Sequence, residues 1–338
     1  DPGETAPFRP YLQYIKNVFS TTVKHEEMKF DDFKKEVLLP HKYSDLGPAL
    51  AVADINNDGM EDVFLGGSNT SEPQLFISEN GELYKDEKSV IINDKRFEDL
   101  GAVFFDYDKD GDQDLYVASG GGGEVVGHPD LMQDRLYQND GKGNFVSQTS
   151  IIPPITSSTK AIAVIDADKD GDLDLVVGGR NEPGKYPLLA YSYYFENNGG
   201  SFKRKTSKVL PEMPGMITDI EVVDINIDGW DDLIVTSEWD APKILVNNQG
   251  KFEELNVEAF QDVLGWWQSV AVSDLDDDGD MDFILGNMGE NSKFHPSKNK
   301  PLGILASDFD DSGSLDIVLT KKYKDETVPV RGKECSSQ

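Results

Sequence analysis

The sequence predicts an all-β fold, a β-propeller, on three observations. A nine-residue acidic loop, D-x-[DN]-x-[DS]-G-x-x-D, occurs six times, with starts separated by 52, 60, 58, 50 and 34 residues. Each copy stands between two short apolar runs rich in small and β-branched residues, the pattern of a hairpin. No sustained helical periodicity interrupts them. Units of roughly 50 residues with three or four short strands read as blades, which bury their faces only by stacking in a ring. A row of separate sandwich domains would give no reason for one loop to recur at the same place in every unit.

The elements follow in chain order. The runs before the loops are ALAVAD, GAVFFD, AIAVID, IEVVD, SVAVSD and GILASD; those after are DVFLGG, DLYVASGG, DLVVGG, DLIVTS, DFILGN and DIVLT. A third strand and its turn are expected in RLYQNDGKGNF, YYFENNGGSF and KILVNNQGKF, where Asn, Asp and Gly precede an aromatic residue. Gly pairs after the second runs suit places where sheets approach closely. The whole of 1–338 is expected to form one propeller domain with six recognisable calcium-loop blades. Residues 1–48 carry no acidic loop and are expected to help close the ring, supplying strands to the last blade. The sixth unit is short, so the natural chain is expected to run on.

The loops themselves suggest calcium. Ca²⁺ takes about six to eight oxygen ligands at about 2.3–2.6 Å. Acidic or amide side chains at positions 1, 3 and 5 turn inward, Gly at position 6 permits the turn, position 7 offers a carbonyl, and Asp at position 9 closes the shell where a strand begins. The expected ligands are Asp54, Asn56, Asp58, Met60 and Asp62 in the first loop, and Asp106, Asp108, Asp110, Asp112 and Asp114 in the second. The third has Asp166, Asp168, Asp170, Asp172 and Asp174; the fourth Asp224, Asn226, Asp228, Trp230 and Asp232. The fifth has Asp274, Asp276, Asp278, Asp280 and Asp282, and the sixth Asp308, Asp310, Ser312, Ser314 and Asp316. The position-7 residues act through their carbonyls, and the side chains of Asp112, Asp172 and Asp280 add field more than coordination. Ser312 in place of a carboxylate makes the sixth loop the weakest of up to six Ca²⁺ sites. Asp-Gly turns alone would explain one such loop, but six in register crowd carboxylates that repel without a counterion.

Composition narrows the partners. The formal charge of -31 argues against nucleic acid, whose phosphates need clustered Lys and Arg, and suits cations. No apolar stretch is long enough to span a membrane. One cysteine, Cys335, allows no internal disulfide framework. The chain opens on DPGETAPFRP without a leader, so an anchoring or targeting segment would have been removed.

For a ligand face, the inserts GGGGEVVGHPDLMQDR and RNEPGKYPLLAYSYY are the best placed loops. Within the second, Arg180 and Tyr186 are candidate contacts. Trp266 and Trp267, with Trp230 and Trp239, could stack on sugars or peptide side chains, although such residues commonly pack between blades. His25, His41, His128 and His295 show neither metal-ligand spacing nor a nucleophile motif. No catalytic residue and no organic cofactor is therefore expected. Abundant carboxylates leave glycoside cleavage open.

Six loops in register, with FDDFKKEVLLPHKYSDLGPALAVADINNDGMEDVFLGG, DRLYQNDGKGNF, GGRNEPGKYP, PGMITD, GWWQSVAVSDLDDDGDMDF and FDDSGSLDIVLT, resemble the FG-GAP/VCBS repeat propellers. Calcium-bearing blades of that kind also occur in integrin α-subunits. The chain is more closely similar to bacterial surface and secreted proteins in which the repeats accompany an ASPIC/UnbV segment, although no such segment follows here. The resemblance implies seven blades in the complete ring and a place at the cell envelope or outside the cell. The expected function is non-enzymatic: a calcium-loaded scaffold binding a protein or a glycan. The alternative is the propeller domain of a carbohydrate-active enzyme acting on polysaccharide.

Overall fold

The computed structural model describes residues 18–210, 215–313 and 315–330. The chain is an all-β propeller, and the only α-helical element among the described residues is the single turn Thr206–Val209. Blade 1 comprises β1 (Leu50–Ala53), β2 (Asp62–Leu65), β3 (Gln74–Glu79) and β4 (Glu82–Lys85). Blade 2 comprises β5 (Asp99–Phe105), β6 (Asp114–Ser119), β7 (Arg135–Gln138) and β8 (Val146–Ser147). In blade 3 these are β9 (Ser158–Ile165), β10 (Asp174–Asn181), β11 (Tyr193–Glu196) and β12 (Lys203–Arg204). Blade 4 has β13 (Met216–Val223), β14 (Asp232–Asp240), β15 (Lys243–Asn247) and β16 (Phe252–Leu255). Blade 5 has β17 (Gly265–Ser273) and β18 (Asp282–Asn287); blade 6 has β19 (Leu302–Ser307), β20 (Asp316–Tyr323) and β21 (Glu326–Pro329).

All pairings within blades are antiparallel and sequential, as alternating apolar runs joined by tight loops require. The third strands expected from the Asn-Gly segments are β7, β11 and β15. Inner strands β1, β5, β9, β13 and β17 lie next to one another, and the apolar residues between successive blades form the core. Ala161, Ile165, Val176 and Tyr194 of blade 3 meet Ile217, Ile220, Leu233 and Leu245 of blade 4. Phe64 and Leu75 of blade 1 likewise meet Leu115 and Tyr137 of blade 2. At about 1.5–3 kcal/mol for each large apolar side chain fully buried, these seams supply the main driving force for stacking. Strand β14 outruns its blade and pairs with β17 at Glu238↔Trp266, so the sheets of blades 4 and 5 are joined.

The segment before the first loop is described from residue 18 onward, and the rest of the segment expected to help close the ring, residues 1–17, lies outside the described residues. The described part pairs with the first blade: Phe19 bridges Leu83 of β4 in parallel, at the outer edge. From there it crosses the ring as a strap. Gln74 and Ser68 bind the carbonyls of Lys24 and Glu26, and Tyr186 N–H donates to Glu36. Tyr43 donates to Glu238 of β14 at 2.7 Å, and Leu39 packs with Ile317 of blade 6. Because every acidic loop joins an inner strand to the second strand of its blade, the six loops share one face. The strap and the inserts after the second strands lie on the other.

Candidate metal centres and ligand face

The loop sequence dictates a repeated backbone geometry. Position 6 is glycine at φ 84 to 94° in all six copies (Gly59, Gly111, Gly171, Gly229, Gly279, Gly313), and position 4 is also left-handed, at φ 58 to 63°. That second reversal was not legible from the motif, since position 4 holds Asn57, Lys109, Lys169, Ile227, Asp277 and Asp311. With both turned, the glycine N–H donates to the position-1 carboxylate in every loop, from 2.7 Å at Gly229–Asp224 to 3.1 Å at Gly171–Asp166 and Gly279–Asp274. The position-7 N–H of Met60, Asp112, Asp172, Trp230 and Asp280 donates to the position-5 Asp. Ser314 lies outside the described residues.

Position 9 is the strand-side anchor. One oxygen of Asp62, Asp114, Asp174, Asp232, Asp282 and Asp316 accepts the position-2 N–H at 3.0–3.3 Å. In blades 1 to 4 the other oxygen accepts an N–H at the end of the third strand, from Ser78, Asn139, Asn197 or Asn247, at 2.7–2.8 Å. Burial, reinforced by neighbouring Asp residues, pushes Asp114 up to about 7 and Asp174 up to about 6, despite these hydrogen bonds.

Ligand oxygens of Asp106, Asp108, Asp110 and Asp114 all lie within 4.8 Å of one another, as do those of Asp166, Asp168 and Asp170, of Asp274, Asp276 and Asp282, and of Asp308, Asp310 and Asp316. At that separation and an effective dielectric of about 20, like charges repel by roughly 3 kcal/mol per pair. One oxygen each of Asp106, Asp108, Asp166 and Asp274 is buried without a hydrogen-bond partner, which a cation in the loop would supply. In the first and fourth loops Asn56 and Asn226 replace a carboxylate, and their Oδ1 atoms accept the position-5 N–H. The residues present thus fit a hard, oxygen-seeking ion.

Two features missed in the sequence link each of the first three loops to the next blade. Asn139 Nδ2 donates to the Ile55 carbonyl of the first loop at 2.7 Å, Asn197 to Tyr107 of the second at 2.7 Å, and Asn247 to Ala167 of the third at 2.9 Å. The signal was the Asn at the end of the third strand in blades 2 to 4, legible only as a turn marker. Position 4 also reaches position 7 of the following loop: Asn57 donates to Asp112, Lys109 pairs with Asp172 at 2.6 Å, and the Lys169 ammonium sits over the Trp230 ring. The carboxylates of Asp112 and Asp172 are therefore occupied between loops.

The ligand-face candidates are placed differently from the expectation. Arg180, Tyr186 and Trp266 are buried and form a hub beneath the strap. Arg180 pairs with Glu238 at 2.6 Å, and His41 reaches the same carboxylate at 3.0 Å. Burial alone would raise the Glu238 pKa, but Arg180, His41 and Tyr43 hold it well below the usual carboxylate range. Tyr186 accepts from Trp239 Nε1, and Trp266 stacks edge-on with Trp239 and His41. Half-buried Trp267 donates to the Val263 carbonyl. The correction has a simple cause: a strap lies over residues that would otherwise line the ring centre. The same insert instead exposes Leu188, Leu189 and Tyr191, the last at 70%, and it abuts Val126 of the neighbouring insert at Gly184.

A family model described as an FG-GAP-like repeat matches residues 54–117, 120–177 and 224–285, more than half of the chain. No curated protein matches it. Among solved structures, an exotype rhamnogalacturonan lyase, YesX, is similar at 13% identity and a TM-score of 0.41, over 81% of this chain and 52% of the lyase. This chain therefore spans about half that protein's length. A putative exo-beta-1,3-galactanase from Bifidobacterium bifidum s17 is similar at 10% identity and a TM-score of 0.36, over 84% and 91% of the two chains. AofleA from Arthrobotrys oligospora is similar at 9% and 0.39, over 84% and 87%.

Proposed function

Because this chain belongs to the FG-GAP-like repeat family, we propose that it is a calcium-stabilised propeller that serves, at the cell envelope or outside the cell, as a binding scaffold for a protein or a glycan. The observation that carries the metal reading is the convergence of loop oxygens, several of them buried and unpartnered. When bound, calcium neutralises the loop carboxylates and ties the two hairpin strands together. Asp106, Asp108, Asp110 and Asp114 are the fullest set, and the other loops contribute the residues at positions 1, 3, 5 and 9 with the position-7 carbonyl. The loop starting at Asp308 is the weakest, because Ser312 brings no charge. FG-GAP repeats are typical of extracellular proteins, which favours an exported location, where calcium is abundant.

The ligand face in this reading is the side opposite the metals. Leu188, Leu189 and Tyr191 stand exposed there on a loop, and an aromatic with aliphatic neighbours suits a sugar ring or a peptide side chain. Thermal unfolding of chelator-stripped protein against added calcium tests the first half: one native-only site filled to about 100 times its dissociation constant adds about 2.7 kcal/mol. Several sites should raise the melting temperature well beyond that, and no rise would refute the metal reading. Screening glycan and peptide arrays with the wild type and with the Leu189→Ala/Tyr191→Ala variant tests the second. At least a tenfold loss for any ligand found is expected, and unchanged binding would move the ligand site elsewhere.

A further inference from the structure

A second group of carboxylates lies on the face away from the repeat loops, where the strap crosses blades 1 and 2. Glu27 comes from the strap, Glu98 from the residue before β5, and Glu124 from the insert after β6. Glu98 is 1% exposed. Its Oε2 accepts the Asn69 N–H at 3.2 Å, but its Oε1 has no partner. Glu27 Oε2 and Glu124 Oε2 are also buried and unpartnered, so three segments each bring an orphaned acceptor to one region. The remaining oxygens are occupied: Glu27 Oε1 by His25 at 2.6 Å, and Glu124 Oε1 by Gly122 N–H at 2.6 Å. Glycines make the space. A Cβ on Gly121 would fall 2.2 Å from Glu124 Oε1, and one on Gly47 would stand 3.4 Å from Glu98 Oε1.

We propose that Glu27, Glu98 and Glu124 form a further cation site that takes a hydrated divalent ion of the calcium class. Among the described residues none of the three is paired with a Lys or Arg, and the charges acting most on Glu98 are those of Glu27 and Glu124. Buried carboxylates without a cation are costly. Burial first, then those neighbours, pushes Glu98 up to about 9, and burial with Asp32 and Asp45 pushes Glu124 up to about 7. Three carboxylate oxygens are free, with one imidazole nitrogen, His25 Nδ1, also buried and unpartnered beside Glu27, so the set is dominated by oxygen and favours a hard ion. These oxygens do not converge within 4.8 Å as the loop oxygens do, so the ion keeps water in its shell. Bound there, it would fasten the strap to blades 1 and 2 independently of the repeat loops.

The test is calcium stoichiometry of the full chain by native mass spectrometry and calorimetry, on wild type, Glu98→Gln and Glu98→Gln/Glu124→Gln. Each variant is expected to bind one calcium fewer than wild type. Each should also melt at least as high as wild type in metal-free buffer, because a neutral amide replaces an acid whose ionised form burial penalises. Glu98→Asp, which keeps the charge, should retain the ion at least tenfold more weakly. An unchanged count in the folded double variant overturns the proposal and leaves these carboxylates as proton carriers. Because the count is taken relative to wild type, failure of the loops alone would show separately, as a wild type that takes up a single calcium which the variants lose.

Discussion

Blades 1 to 4 and blades 5 and 6 carry the same acidic loop but hold it differently. In the first four, the position-9 Asp is buried and both of its oxygens are fixed, one to its own loop and one to the third strand. In the last two, Asp282 and Asp316 are only half-buried, and among the described residues a single N–H, from Leu275 or Phe309, fixes each. At the second residue after position 9, Phe64, Tyr116, Val176 and Ile234 are inaccessible whereas Ile284 is 59% exposed, although Ile317 of blade 6 is buried. The motif alone therefore does not set how firmly a blade is held. Position 9 needs a third strand to clamp it and a neighbour to cover it, and where those are thin the metal must carry a larger share of the stability.

The largest test of this contrast is calcium removal followed by amide hydrogen exchange. Chelation is expected to cost several kcal/mol in total, with β17 to β20 losing protection first and β5 to β15 retaining it longest, as low local burial predicts. Simultaneous loss of protection in all blades would break the comparison and make the ring one cooperative unit.

A smaller effect tests the clamp itself. Asn197 is buried, and its side chain donates to Tyr107 in the second loop and Leu173 in its own blade. Asn197→Ala would leave those buried carbonyls unsatisfied, at about 1–3 kcal/mol, read by urea unfolding at saturating calcium. The lost protection should appear in blades 2 and 3 together. A cost below about 0.5 kcal/mol, the low end for a net hydrogen bond, would mean that stacking alone holds the blades in register.

Much of the fold was legible because its signals are local. A period-two apolar run and a nine-residue loop specify a hairpin, and repetition specifies stacking. The third strands were equally visible in RLYQ, YYFE and KILVN. What lay beyond the sequence depends on side chains meeting across blades. Asn139, Asn197 and Asn247 look like turn residues until their Nδ2 atoms are seen on another blade's carbonyl. Arg180 and Tyr186 look like loop contacts because nothing in RNEPGKYP reveals that Tyr43 and Glu238, far away in sequence, will bury them. The choice of insert rested on composition; the choice of residues within it required the strap.

The smallest effect concerns the seam between the two regions. Position 4 must adopt a left-handed conformation, and Ile227 does so at φ 58° although a β-branched side chain is disfavoured there by roughly 1–2 kcal/mol. The first loop has Asn57 at the same place, at φ 59°, where it reaches across to Asp112. Ile227 can make no such bond toward the fifth loop, and it is 69% exposed, so little packing is lost by changing it. Ile227→Asn is therefore expected to stabilise by about 0.5–1 kcal/mol, the scale on which relief of backbone strain acts, seen as a higher melting temperature at saturating calcium. If the gain comes from strain alone, exchange in the fifth loop will be unchanged. If the introduced amide also bridges toward Asp280, protection will rise there, and the firmer half of the ring will have been extended by one blade.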